Sequence, residues 1–147
     1  RVPLVFSGPG VPVGARRDSL VYLLDIFSTL CDLAGIEGPD TIEGQTLVPC
    51  FSDADHSTRQ AIYLAYADSI RGISDGYYKL IEYACGETQL FDLIQDPWER
   101  HNLVGESEHR TTLVALRKDL RDLRDSWDDL SHSTGVVFWR ARKDLDA

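Results

Sequence analysis

The groups in this chain whose types could do chemistry are three cysteines, four histidines, a glycine-rich run near the start and one arginine set among isoleucines. Zinc binding and disulfide frameworks both need cysteine or histidine at characteristic spacing. Cys31, Cys50 and Cys85 are widely separated, form no CxxC pair and have no histidine at ligand spacing, so they read as free or buried thiols. Gly8-x-Gly10-x-x-x-Gly14 has the wrong spacing for a phosphate loop, and Pro9 and Pro12 remove two amide donors from any such cradle. Asp53-Ala54-Asp55-His56 offers three ligand side chains, but nothing nearby supplies the further ligands that calcium or zinc requires, which leaves a solvated loop. His101, His109 and His132 stand at a turn, a helix start and the tail, with no nucleophile in an elbow or triad context.

Arg71 differs in kind. It falls in an expected strand beside Ile70 and Ile73, where a guanidinium needs a partner anion, a backbone carbonyl or a cleft. An internal ion pair and a place in a substrate cleft both meet that need, so Arg71 is the candidate substrate-cleft residue. Tyr78 and Lys79 on the next strand carry the same ambiguity. Arg117, Lys118, Asp119, Arg121, Asp122, Arg124 and Asp125 alternate in sign and read as solvated i,i+4 pairs on a helix, each contributing a few tenths of a kcal/mol.

These groups must be held by elements, and the composition says which kind. A chain of 147 residues with 43% hydrophobic content can bury a globular core. Its formal charge of −9 disfavours nucleic acid and anionic membranes as partners. No apolar run reaches the roughly 18 residues that a membrane span needs, and the start has no signal-peptide form. The chain begins without Met, inside an apolar run, and looks cut from something longer.

The run Val2 to Phe6, ended by Ser7-Gly8-Pro9-Gly10, reads as a buried strand. Leu20, Leu23, Leu24, Phe27, Leu30, Cys31 and Ala34 recur at helical spacing, with Ser19 or Asp25 as caps and Gly35 as the stop. That helix is expected to bury one broad face. Residues 35–59 turn to Gly, Pro, Asp, Ser and Thr and read as a connection that ends one structural unit. Four short β-rich runs follow: Ala61 to Tyr66, Ile70 to Ser74, Tyr77 to Tyr83 and Thr88 to Leu93. Asp75-Gly76 predicts a two-residue type I′ hairpin turn.

After the last run, Asp96-Pro97-Trp98-Glu99 reads as a capping box. Asp96 would take the amide of Glu99, Pro97 would occupy the first helical position and Glu99 would reach back. The final large helix spans about Glu108 to Trp127, capped by Ser107, with Leu113, Leu116, Leu120, Leu123 and Trp127 as its apolar stripe. The tail residues Val136, Val137, Phe138 and Trp139 are too apolar for a free linker and are expected to dock.

Several of these runs, in this order, resemble the C-terminal part of a type I sulfatase of the alkaline phosphatase-like superfamily. Leu90-Phe91-Asp92-Leu93 followed by Asp96-Pro97-x-Glu99-x-x-Asn102-Leu103 is similar to the family's signature near the C-terminus. Residues 1–10 resemble its late core strand and Gly-Pro-Gly turn, and residues 25–35 the following helix. Glu43-Gly44-Gln45-Thr46-Leu47 fits its Glu/Asp-Gly-x-Ser/Thr-Leu loop, and residues 71–81 its Arg-x-Val-Arg-x-x-x-Tyr-Lys-Leu hairpin. Ser28 replaces the usual proline of the helix, and Ser74 the second arginine of the hairpin.

The resemblance implies an α+β chain. Residues 1–59 would end an α/β sulfatase core as a strand plus a helix, and residues 60–147 would form a four-stranded antiparallel sheet packed against a C-terminal helix, with a docked tail. It implies a sulfuric-ester hydrolase whose parent uses calcium and a formylglycine made from a Cys/Ser-x-Pro-x-Arg motif, with export to the periplasm or outside, or lysosomal delivery, as the family's usual destination. No residue here matches that motif: Cys31 is followed by Asp32-Leu33, Cys50 by Phe51-Ser52 and Cys85 by Gly86-Glu87. No catalytic or metal-binding residue is assigned to this chain. Its expected partners are the rest of the sulfatase chain and, through it, a sulfate ester. The alternatives are the same part of a phosphonate or phosphate monoester hydrolase, and a non-catalytic structural or binding module.

Overall fold

In the computed structural model, which describes residues 3–146, backbone contacts divide the chain into units of residues 1–60 and 61–147. The first unit holds two helices, α1 (Asp25–Ala34) and α2 (Val48–Ser52), joined and flanked by loops. Gly35 ends α1 in the left-handed region at φ 64°, its amide bonding back to Asp32 O, as its position in the sequence predicts. Neither expected cap forms. The hydroxyl of Ser19 donates to His56 O, and Asp25 is the first residue of the helix, with Leu24 at the N-cap.

Two larger expectations fail in this unit. Val2 lies outside the described residues, and Pro3 to Phe6 carry no strand pairing. A strand exists only through a ladder, and the described residues of this unit contain no other strand to join. The helix is inverted: Phe27 and Leu30 are each 53% exposed, and Leu23 in the turn before it 71%, whereas Asp25 and Thr29 are fully buried. The apolar spacing is real, but among the described residues its face has no cover.

The second unit is a meander of β1 (Ile62–Tyr66), β2 (Ile70–Ser74), β3 (Tyr78–Tyr83) and β4 (Thr88–Asp92), all antiparallel in sequence order. Then come α3 (Arg110–Ser126) and α4 (Ser133–Ala141), each preceded by a short 3-10 turn. Register aligns Tyr63 with Ile73, Ile73 with Leu80, and Leu80 with Leu90, so an apolar row crosses one sheet face from β1 to β4. That face packs on Leu116 and Leu120 of α3, on Phe138 and Trp139 of α4, and on Leu145. Fully burying each such side chain is worth about 1.5–3 kcal/mol. Leu113, Leu123 and Trp127 of the expected stripe border the same core, and the tail docks as its composition requires.

The hairpin turn sits one residue later than expected. The amide of Asp75 donates to Tyr78 O, so Gly76 and Tyr77 are the central residues, and only Gly76 has positive φ. This is the type II′ pattern, fixed by the Asp75 carboxylate accepting the amides of Tyr77 and Tyr78. Ser107 makes no side-chain cap; residues 107–109 are a 3-10 turn leading into α3. No helix of the described residues is long and apolar enough to cross a membrane.

Candidate functional site

β2 places Arg71 on the same face as Ile73, inside the core of the second unit, where none of its surface is exposed. Asp129 meets it from the 3-10 turn after α3, with Nε at 2.7 Å and Nη2 at 3.1 Å from the two carboxylate oxygens. Nη1 donates to the carbonyls of Ala67 and Ile70, and the guanidinium lies 5.1 Å over the Phe138 ring. Asp129 also accepts from the Tyr63 hydroxyl at 2.9 Å and the Trp139 indole at 2.8 Å. Burial pushes the Asp129 carboxyl up, but hydrogen bonds from Arg71, Trp139 and Tyr63 outweigh it and hold the group below the usual carboxylate range. Burial, then the neighbouring Asp129, pushes the Tyr63 phenol well above its ordinary value.

Of the two roles open to Arg71, the structure displays the internal ion pair. Its donors are spent on Asp129 and on backbone carbonyls, so the network's chemistry is to join β1, β2, the turn after α3 and α4. Gly135 permits that closure: a Cβ there would come within 1.9 Å of Asp129 O. Asp129 was not legible, because it lies 58 positions from Arg71 in an ordinary acidic pair with Asp128. The one local signal was a glycine inside the apolar tail.

A second buried anion sits across the β2–β3 register from Arg71. Glu82 is fully buried and accepts from Arg117 Nε at 2.7 Å, Arg142 Nη2 at 2.9 Å and Thr88 Oγ1 at 2.6 Å. Arg142 is also bidentate to Asp144 and donates to Tyr83 O. Several helix charges expected in solvent are therefore structural. Arg117 serves Glu82, Arg121 donates to Leu145 O, and Arg124 pairs with Asp125 and Asp146 while stacking 4.8 Å over Trp139. Lys118 and Asp122 do form a solvated i,i+4 pair.

The turn after β4 is built differently from a capping box. Asp96 Oδ2 accepts the amides of Arg100 and His101, while Glu99 has a positive φ of 56° and its carboxylate pairs with Lys79 at 2.5 Å. Glu99 therefore cannot reach back to Asp96, and no helical turn forms. The bonds from His101 and Arg100 lower the Asp96 carboxyl. Asn102 completes the turn by accepting from the amides of Leu90 and Val104 and donating to Thr88 O. The diagnostic run is thus a rigid clip on the edge strand.

Little else resembles a reactive centre. Asp92, Gln95, Asp96, His101, Leu103, Glu108 and His109 line a cavity of about 370 Å³. Its Asp92 and Asp96 carboxylates are occupied by backbone amides. Glu106, Glu108 and His109 lie close enough to share an ion, yet both carboxylates are exposed and already face the imidazole. Among the described residues, every buried side-chain polar atom has a partner. Among the described residues, nothing fits the calcium and formylglycine that the resemblance implies. Cys31, Cys50 and Cys85 are free thiols, part-buried, buried and exposed respectively.

In the first unit the buried groups make a comparable brace. Asp25 receives both terminal nitrogens of Arg59 at 2.6 Å and the amides of Tyr22 and Gln45. Thr29 accepts the amide of Leu47, and the hydroxyl of Ser28 donates to Gly44 O. Gly44 is required, since a Cβ there would meet Leu24 O at 2.3 Å. The Glu43-to-Leu47 loop therefore staples the polar edge of α1.

This pairing of an antiparallel sheet with a C-terminal helix is the architecture of the C-terminal region of sulfatases. A solved 2-O GAG sulfatase superposes with a TM-score of 0.73 at 28% identity, covering 86% of this chain and 30% of that one. The phosphonate monoester hydrolase of Agrobacterium radiobacter superposes at 0.58 with 24% identity, over 69% of this chain and 24% of its own, and shares the fold. In sequence, arylsulfatase K of Xenopus laevis is 29% identical over 140 residues, 84% of this chain and 26% of the relative. The choline-sulfatase of Rhizobium meliloti is 32% identical over 151 residues, 97% of this chain and 29% of the relative. Residues 1–126 match the family model described as N-sulphoglucosamine sulphohydrolase, C-terminal, and the chain belongs to that family. It spans just over a quarter of the length of these curated relatives.

Proposed function

We propose that this chain is the C-terminal portion of a sulfuric-ester hydrolase and that it contributes scaffold and one wall of the substrate cleft, not the reacting groups. The observation that carries this is the family match over residues 1–126, joined to a structure whose buried ionisable side chains are saturated by one another. The nucleophile and the calcium site implied by the resemblance would lie in polypeptide outside residues 1–147. Likeness to the phosphonate monoester hydrolase carries the fold and no preference for phosphorus chemistry.

The reading frame ahead of Arg1 tests this. A Cys/Ser-x-Pro-x-Arg motif there, together with turnover of an aryl sulfate by the whole polypeptide, is the expected result. A Thr or Ser nucleophile without that motif, with turnover of phosphate or phosphonate esters alone, would overturn it. So would aryl sulfate turnover by the 147-residue chain by itself.

A further inference from the structure

Two buried charges of the sheet take counter-ions from the chain beyond α3: Arg71 is bound by Asp129, and Glu82 by Arg142. The match to the family model stops at residue 126, the last residue of α3. The segment beyond it, residues 127–146, packs on itself. In α4, a Cβ on Gly135 would meet Asp129 O at 1.9 Å, and Phe138 and Trp139 stand edge to face at 5.2 Å. The chain enters this segment through Asp128, a non-glycine residue in the left-handed region at φ 50°. Residues 127–146 are thus a strap laid over the sheet, joined to α3 through one strained position.

Arg71 and Glu82 are direct partners in the β2–β3 register, and both are fully buried. Directly opposite residues of an antiparallel pair have Cβ atoms about 4.5–5.5 Å apart, close enough for opposite charges to bond across the rung. The strap draws this pair apart. Nε and Nη2 of Arg71 go to Asp129, and Glu82 Oε2 goes to Arg142 at 2.9 Å. Without the strap, Arg71 keeps the carbonyls of Ala67 and Ile70, and Glu82 keeps Arg117 and Thr88. The freed nitrogens of one and the freed oxygen of the other are then within reach across one rung. Loss of a single partner strands a buried charge, whereas lifting the whole strap removes an anion and a cation together. Removing Asp129 alone differs, because a docked Arg142 still holds Glu82.

We infer that residues 127–146 are a releasable strap, and that its release is completed by a latent ion pair, Arg71 with Glu82, which the docked strap keeps apart. The sheet and α3 hold together in both positions, and only the partners of the two charges are exchanged. Native-state hydrogen exchange in urea on the 147-residue chain reads the release. Amides of α4 are expected to exchange about tenfold faster than those of β3, through an opening that spares the sheet. A single opening shared by α4 and β3 would overturn the inference. The latent pair is read in a second form of the same chain, Phe138→Asp, whose carboxylate has no place in the apolar core that Phe138 fills. In that background Arg71→Gln and Glu82→Gln are expected to couple by about tenfold in the folding equilibrium constant from urea melts, against about twofold with Phe138 in place. Equal coupling in the two backgrounds would overturn the latent pair. Loss of the sheet signal in far-ultraviolet circular dichroism of the Phe138→Asp chain would overturn the strap, since the sheet would then depend on it.

Discussion

Residues 61–147 and residues 1–60 use the same kinds of interaction to opposite ends. In the second unit, leucines of α3 meet the apolar face of the sheet, and buried Arg71, Asp129 and Glu82 are fitted around that core. In the first, the buried charge pair is Asp25 with Arg59, while the leucines and the phenylalanine of α1 face water. A buried ion pair is thus no sign of a finished core. What separates the units is whether the apolar stripe has a counterpart, which the sheet supplies to α3 and nothing among the described residues of the first unit supplies to α1.

The largest expected effect probes the second unit's network. Asp129→Ala leaves Arg71 charged, buried and unpaired and strips acceptors from Tyr63 and Trp139. A loss of about 3–5 kcal/mol is expected, a large part of a typical domain's stability, read from urea melts by Trp fluorescence. Leu80→Ala, in the centre of the sheet, should cost about 2–5 kcal/mol in the same assay. Gly135→Ala should cost about 1–3 kcal/mol through overpacking against Asp129 O, although alanine is ordinarily the better helix former.

Acid should separate the same network from its surroundings. Because the folded-state value of Asp129 is depressed, the unfolded chain takes up its proton first as pH falls. The contribution is complete above the ordinary carboxylate range and is lost as pH drops through the lower folded value, so Asp129→Asn should flatten that part of the acid limb. At the small end, Phe27→Ala should move the stability of the isolated chain by no more than about 0.5 kcal/mol, as for an uncovered surface position. A loss comparable to that of Leu80→Ala would erase the contrast between the units.

What the sequence made legible follows the range of the interactions. The four strands, α3, the Gly35 stop and the docked tail all announce themselves through period or local turn chemistry, and all are present. The hairpin turn was displaced by one residue because the Asp75 carboxylate accepts the amides of Tyr77 and Tyr78 and so joins its backbone in closing the turn around Gly76 and Tyr77. The capping box failed because Lys79, 20 residues away, draws off Glu99. The α1 periodicity named the apolar positions correctly but could not say which side of the helix the Asp25–Arg59 pair would bury. Arg71 was visible as a cation in need of an anion, whereas Asp129 and Glu82 were not, since only the folded sheet brings those partners together.

The most direct measurement of the contrast is native-state hydrogen exchange on the 147-residue chain, comparing the amides of α1 with those of β3. The account predicts that β3 amides exchange only through global opening of their unit, while α1 amides exchange about 100-fold faster or more through a smaller local opening. Protection of α1 equal to that of β3 would contradict it, for it would mean that the helix is already held by a complete core.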